Sequence, residues 1–202
     1  MRVAEAVLVA AAAPTLDLRL PSRPRCAHSA RRPPPVQGPA MQVPSADRAP
    51  IDGKGRRIAI VVARFHHEIT ERLAAGARRA LIAAGVAQDT VTVLSVPGAF
   101  ELPLACRWAI ETGRFDAIVA LGVVLRGETD HYDYVCGEAS RGIADTQLAT
   151  GVPIGFGLLT CDTLEQALAR AGGSTGDKGE DAARAALAML ALRDALDGSA
   201  RR

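Results

Sequence analysis

Four stretches of this sequence carry residue types that could seat a ring, hold an anion and move a proton. Gly127-Glu128-Thr129-Asp130-His131 follows an apolar run and precedes helical spacing. At such a strand-to-helix corner, backbone N–H groups face outward and the helix N-terminus favours negative charge. An imidazole beside an anion cradle is suited to proton transfer near neutrality. Phe65 closes an earlier apolar run and offers a flat face to a planar ring. Ala99-Phe100-Glu101 follows another, and Glu101 is an acceptor for hydroxyls or ring N–H groups. Arg170 and Lys178 flank a glycine-rich stretch and could pair with a phosphate, Arg170 in two-pronged fashion.

Each of these residues also has an ordinary role open to it. A phenylalanine at a strand end is commonly a core plug. Glu101 near a helix start, and Arg170 near a helix end, are favourable helix-terminal charges. Lys178, Asp130, Asp133 and Glu138 would in that case cap or face water. Convergence on one rim is what separates the two accounts.

The elements that would bring them together read clearly. Ile58–Ala63, Thr90–Val96, Asp116–Leu125 and Val152–Leu159 are short runs rich in apolar and β-branched residues. Continuous runs of this kind mark strands covered on both faces. Between them, helical spacing covers Glu68–Ala84, Leu102–Thr112, about Tyr132–Ala149 and Asp162–Ala171, and a last helix runs from about Glu180 to Leu196. Gly172–Gly179 reads as a loop. Strands alternating with helices over short connections predict a parallel sheet between two helix layers. The expected fold is a single-domain three-layer α/β/α sandwich with a flavodoxin-like four-stranded parallel sheet, spanning residues 57–197.

Residues 1–56 differ from the rest. Pro21, Pro24 and Pro33-Pro34-Pro35 interrupt any helix, and arginines outnumber acids. The segment reads as a disordered extension, with a targeting segment or an over-long start before Met41 as the other readings.

The 202-residue chain has a net charge of +2, too small to point to nucleic acid or a membrane surface. No apolar run has the length of a membrane span. The four cysteines, Cys26, Cys106, Cys136 and Cys161, show neither C-x-x-C nor zinc spacing, and a reducing cytoplasm suits them. G-x-x-x-x-G-K-[ST] and G-x-G-x-x-G are both absent, and His66-His67 lacks further metal ligands.

The blocks Val-Ala-Arg-Phe, Val-Pro-Gly-Ala-Phe-Glu-Leu-Pro, Leu-Gly-Val-Val-Leu-Arg-Gly-Glu-Thr-Asp-His-Tyr-Asp-Tyr-Val, Pro-Ile-Gly-Phe-Gly-Leu-Leu-Thr and Glu-Gln-Ala-Leu-Ala-Arg-Ala-Gly with Gly-Asp-Lys-Gly occur in that order. As a set they resemble lumazine synthase, over about Arg57 to Leu196. The resemblance implies condensation of 5-amino-6-(D-ribitylamino)uracil with 3,4-dihydroxy-2-butanone 4-phosphate, without metal or organic cofactor. It implies stacking of the pyrimidine on Phe65, contacts to the ribityl chain from Ala99, Phe100 and Glu101, and Leu125 against the ring. It further implies phosphate binding by Gly127, Glu128, Thr129 and Arg170, and proton transfer by His131. Phe156, Arg170 and Lys178 would come from an adjacent subunit.

A homopentamer is implied, and the short Gly172–Gly179 connection favours closure of pentamers into a 60-subunit shell. Riboflavin synthase is the implied protein partner, and the cytoplasm the implied location, or a plastid if residues 1–56 are a transit peptide. His66 stands where the family usually has Asn or another small polar residue. A non-catalytic shell protein and a flavin- or nucleotide-binding module of the same fold are the competing readings. The first would not need Phe65, Glu101, His131, Arg170 and Lys178 intact, and the second would not need His131, Arg170 and Lys178 together.

Overall fold

The computed structural model of the protein describes residues 51–200. Of the extension expected over residues 1–56, only 51–56 fall within it. Here Gly53 N–H donates to Ala84 O at 2.7 Å and Ile51 packs against the core.

Four strands, β1 (Ile58–Ala63), β2 (Val91–Val96), β3 (Ala117–Leu125) and β4 (Ile154–Cys161), form one parallel sheet in the order β2-β1-β3-β4. All six residues of β1 are buried, as its unbroken apolar run requires. Alternation along β1 divides the core. Ile58, Ile60 and Val62 face one cluster, with α1 (His67–Ala83) and α5 (Lys178–Ala200) over it. Ala59, Val61 and Ala63 face the other, with α2 (Leu102–Glu111) and α3 (His131–Thr150) over that. Burial of Leu73, Leu81, Leu187 and Leu190 on one side and Leu102 and Ile143 on the other holds the layers together, each such side chain contributing about 1.5–3 kcal/mol. The expected three-layer sandwich is the observed one.

The edges of most elements differ from expectation by one or two residues, and two of the shifts have a plain cause. Thr90 belongs to a short 3-10 turn, so β2 starts at Val91. β4 runs later than the expected Val152–Leu159, because Pro153 precedes its first ladder residue while Thr160 and Cys161 still pair with Val124 and Leu125.

Gly172–Gly179 is not a loop. After α4 (Leu164–Arg170) the chain forms a small antiparallel hairpin, β5 (Ala171–Gly173) with β6 (Gly176–Asp177), and α5 begins at once at Lys178. Gly172 and Gly176 have φ of 85° and 95°, the left-handed region that glycine enters without strain. Asp177 then caps α5, its Oδ1 accepting from Gly179 N at 3.0 Å and Glu180 N at 3.2 Å, while Oδ2 accepts from Arg79 at 3.0 Å.

α5 lies unusually close to its neighbours. A Cβ on Gly155 of β4 would collide with the carbonyl oxygen of Ala182, and one on Gly179 with the carbonyl oxygen of Leu73. Main chain therefore meets main chain on both sides of its first turns.

Candidate active site

β1 connects to β2 on one side and the chain returns across it to β3, so the strand order reverses between β1 and β3. Ligands in open α/β sheets lie at such a reversal, outside the carboxyl ends of the strands. A cleft of about 490 Å³ opens there, lined by residues of all three strand ends and of α3.

From the end of β1 comes Phe65, a residue 68% exposed. A core plug would be buried. The ring lies against the backbone of Gly98, and a Cβ there would stand 3.1 Å from Phe65 Cδ2 and 3.2 Å from Glu101 Oε2. The bare glycine is therefore what leaves room for the ring. His66 follows with φ 55° and ψ 51°, the only non-glycine residue with positive φ among the described residues. That left-handed step ends the strand and starts α1, and its carbonyl accepts from Ile69 N and Thr70 N. Asparagine and histidine enter this region more readily than most residues, so His66 makes this turn at less strain than a bulkier or β-branched residue would.

From β2 come Ala99, Phe100 and Glu101, in a single 3-10 turn leading into α2. Glu101 Oε2 accepts from Gly98 N at 2.9 Å. That bond fixes the carboxylate at the mouth of the cleft and leaves Oε1 for another donor. Phe100 is exposed beside it.

From β3 come Val123, Val124 and Leu125, forming the apolar wall. Beyond them Gly127, Glu128, Thr129 and Asp130 make the corner into α3. Their backbone N–H groups donate to no partner among the described residues. Three consecutive or more such donors at a helix N-terminus form a natural anion site. His131, the first residue of α3, lines the cleft with its imidazole unpartnered among the described residues. Tyr134 and Val135 line it too, at i+3 and i+4 from His131 on the same helix face.

Of the residues singled out from sequence, Phe65, Ala99, Phe100, Glu101, Leu125 and His131 line one cleft, and Gly127, Glu128 and Thr129 adjoin it. Phe156, Arg170 and Lys178 do not line it. Phe156 projects half-exposed from the edge strand β4. Arg170 ends α4 and donates to Gln166 O at 2.9 Å, and Lys178 pairs with Asp181 at 2.7 Å. Convergence of Arg170 and Lys178 with the others therefore does not occur within one chain.

His66, Gly98, Val123, Val124, Tyr134 and Val135 were not singled out by type and spacing. Tyr134 could have been, since it is one helical turn from His131 in a chain with 3% aromatics. Gly98 and His66 act through backbone geometry, which residue chemistry does not announce.

Electrostatics sharpen the same picture. Asp133, singled out only as a solvated or capping group, accepts from Arg126, and so does Asp162. These bonds, led by the one to Asp133, push the Arg126 guanidinium further from deprotonation. Burial pushes the Cys106 thiol up to about 12 and raises that of Cys161, so neither is a ready nucleophile. Among the described residues no three His, Cys, Asp or Glu side chains gather as metal ligands, and no helix is long and apolar enough to cross a membrane.

Residues 55–194 match the family model of 6,7-dimethyl-8-ribityllumazine synthase. The chain is similar to proteins of that name from Gemmatimonas aurantiaca, 54% identical over 70% of this chain and 87% of the relative, and from Desulfovibrio desulfuricans, 47% identical over 72% and 94%. A third, from Desulfatibacillum aliphaticivorans, is 47% identical over 71% of this chain and 93% of its own length.

Proposed function

The chain belongs to the 6,7-dimethyl-8-ribityllumazine synthase family, and from that premise we propose how its residues perform the reaction. The enzyme condenses 5-amino-6-(D-ribitylamino)uracil with 3,4-dihydroxy-2-butanone 4-phosphate, yielding 6,7-dimethyl-8-ribityllumazine, phosphate and water.

The pyrimidine stacks on the exposed face of Phe65, with Leu125 against its other side. Ribityl hydroxyls reach the free oxygen of Glu101 and the backbone of Ala99 and Phe100. The butanone phosphate sits on the N–H groups of Gly127, Glu128 and Thr129. With both substrates held, attack of the uracil amine on the ketone becomes effectively intramolecular. Imine formation, phosphate loss, ring closure and dehydration each move a proton, and the imidazole of His131, lining the cleft beside the cradle, is the group placed to carry it.

The observation that best supports this reading is the one-sided cleft. Ring seat, hydroxyl acceptor, N–H cradle and imidazole meet there, while Arg170, Lys178 and Phe156 of the same chain lie outside its lining. A neighbouring copy would supply those three, Arg170 stabilising the phosphate as it departs. We accordingly propose a homopentamer, and, because only the compact β5–β6 hairpin separates α4 from α5, closure of pentamers into a 60-subunit shell. Riboflavin synthase, as the consumer of the product, is the proposed partner. A cytoplasmic setting is proposed, or a plastid one should residues 1–56 act as a transit peptide.

The test mixes the purified chain with both substrates, follows lumazine absorbance and phosphate release together, and sizes the protein. Matched product and phosphate above the spontaneous background are expected from a pentamer or larger. Background rates from an intact pentamer would leave a non-catalytic shell protein.

A further inference from the structure

Arg126 sits one residue before the N–H cradle, where an arginine invites assignment as a phosphate ligand. Its contacts point elsewhere. Nε donates to Asp162 Oδ1 at 3.0 Å, and the two terminal nitrogens to the Asp133 carboxylate at 3.3 and 3.0 Å. All three nitrogens are thus engaged. The guanidinium also stacks on the Tyr132 ring, 4.0 Å from its centroid, and Tyr132 is itself buried. The backbone N–H of Arg126 donates to Cys161 O at 3.0 Å, extending the β3–β4 pairing by one residue.

One side chain therefore ties three places together: the residue that opens the corner, the first turn of α3 that closes it, and the corner after β4. Gly127–Asp130 is suspended between two of them. The charge balance has the same sense. Asp133 and Asp162 place two carboxylates on the elements flanking a site meant for a dianion, and Arg126 neutralises part of that repulsion.

We propose that Arg126 is a positioning residue that shapes the phosphate-binding corner through Asp133, Asp162 and Tyr132 without touching the phosphate. The role rests on the assignment of Gly127–Thr129 as the phosphate site. A positioning residue and a direct ligand respond with opposite sign when Asp162 loses its charge. Were Arg126 the ligand, Asp162→Asn would free the guanidinium and remove a nearby negative charge, so phosphate would bind as well or better. Were Arg126 a strut, the same change would loosen the corner and weaken phosphate binding.

The experiment measures inhibition by inorganic phosphate, the KM of each substrate and kcat, in the intact assembly. Asp162→Asn should weaken phosphate inhibition about threefold despite the lost negative charge, in keeping with a half-exposed ion pair. Arg126→Met should raise the KM for the butanone phosphate about tenfold while the uracil KM stays within about twofold. Arg126→Lys should recover only part of this, since an ammonium cannot pair with both carboxylates and stack on Tyr132 at once. Unchanged or tighter phosphate inhibition in Asp162→Asn overturns the proposal, even if Arg126→Met fails to fold. Arg170→Ala serves as the independent probe of the phosphate site. Weakened inhibition there, with none in Asp162→Asn, removes the positioning role and leaves the site assignment standing. No effect in either removes the site assignment and the role with it.

Discussion

At the amino end of the sheet, Asp116 takes the backbone N–H of Arg57 at 2.8 Å and its guanidinium at 2.9 Å, while Asp116 N–H returns a bond to Arg57 O. Thr90 Oγ1 closes on Arg56 O, and Gln147 Oε1 accepts from Ile154 N at 2.6 Å. At the carboxyl end of the same strands, the N–H groups of Gly127–Asp130 meet no acceptor among the described residues, Phe65 and Phe100 face outward, and His66 holds a left-handed backbone. One end satisfies its polar groups internally, and the other keeps its binding capacity for something outside the chain. Departures from good local structure are expected where a protein binds or reacts, and here they gather at one end.

The contrast can be broken or sharpened by substitutions that should divide between kinetics and stability. His131→Ala carries the largest expected effect, a fall in kcat of roughly a hundredfold with both KM values nearly unchanged, at the lower limit of what acid–base groups contribute. A loss confined to KM would move proton transfer to another group. Gly98→Val should come next. The new side chain displaces the Phe65 ring, raising the uracil KM about fivefold, the size of a lost stacking contact, with the butanone phosphate KM unmoved. Parallel changes in both KM values would mean that Phe65 does not hold the ring by itself.

Asp116→Asn is the smallest and belongs to the other end. It should lower Tm by about 3 °C at neutral pH and leave kcat and both KM values alone. Burial raises the Asp116 carboxyl, but the hydrogen bonds and charge of Arg57 outweigh that and hold it below the usual carboxylate range. A depressed carboxyl contributes stability above its unfolded pKa, and the contribution is lost as pH falls through the lower folded value. The Tm gap between the two proteins should accordingly close in acid. A gap that persisted there would assign the effect to packing.

What the sequence disclosed follows the same division. β1 and β3 were legible because strands buried on both faces admit only apolar residues. α1 was legible because Ile69, Leu73, Ala77 and Leu81 repeat at one-turn spacing on a half-buried face. The start of α5 was not, since glycines suggested a loop where they serve the hairpin's positive φ. Asp177-Lys178-Gly179-Glu180 nevertheless carries a capping pattern, an acceptor three residues before a glutamate, that marks the true start. At the site, side chains with chemistry of their own were legible, among them Phe65, Glu101 and His131. Gly98, His66 and the bracing of Arg126 were not, because they work by the space left, the backbone angle held or the neighbour restrained.

The close seating of α5 has a genetic consequence. Every missense change at Gly155 or Gly179 adds at least a Cβ, and each such atom would meet a main-chain oxygen that no rotamer change can move aside. In a library of random variants selected only for folded protein, both codons should stay closed to substitution while exposed positions such as Leu148 drift freely.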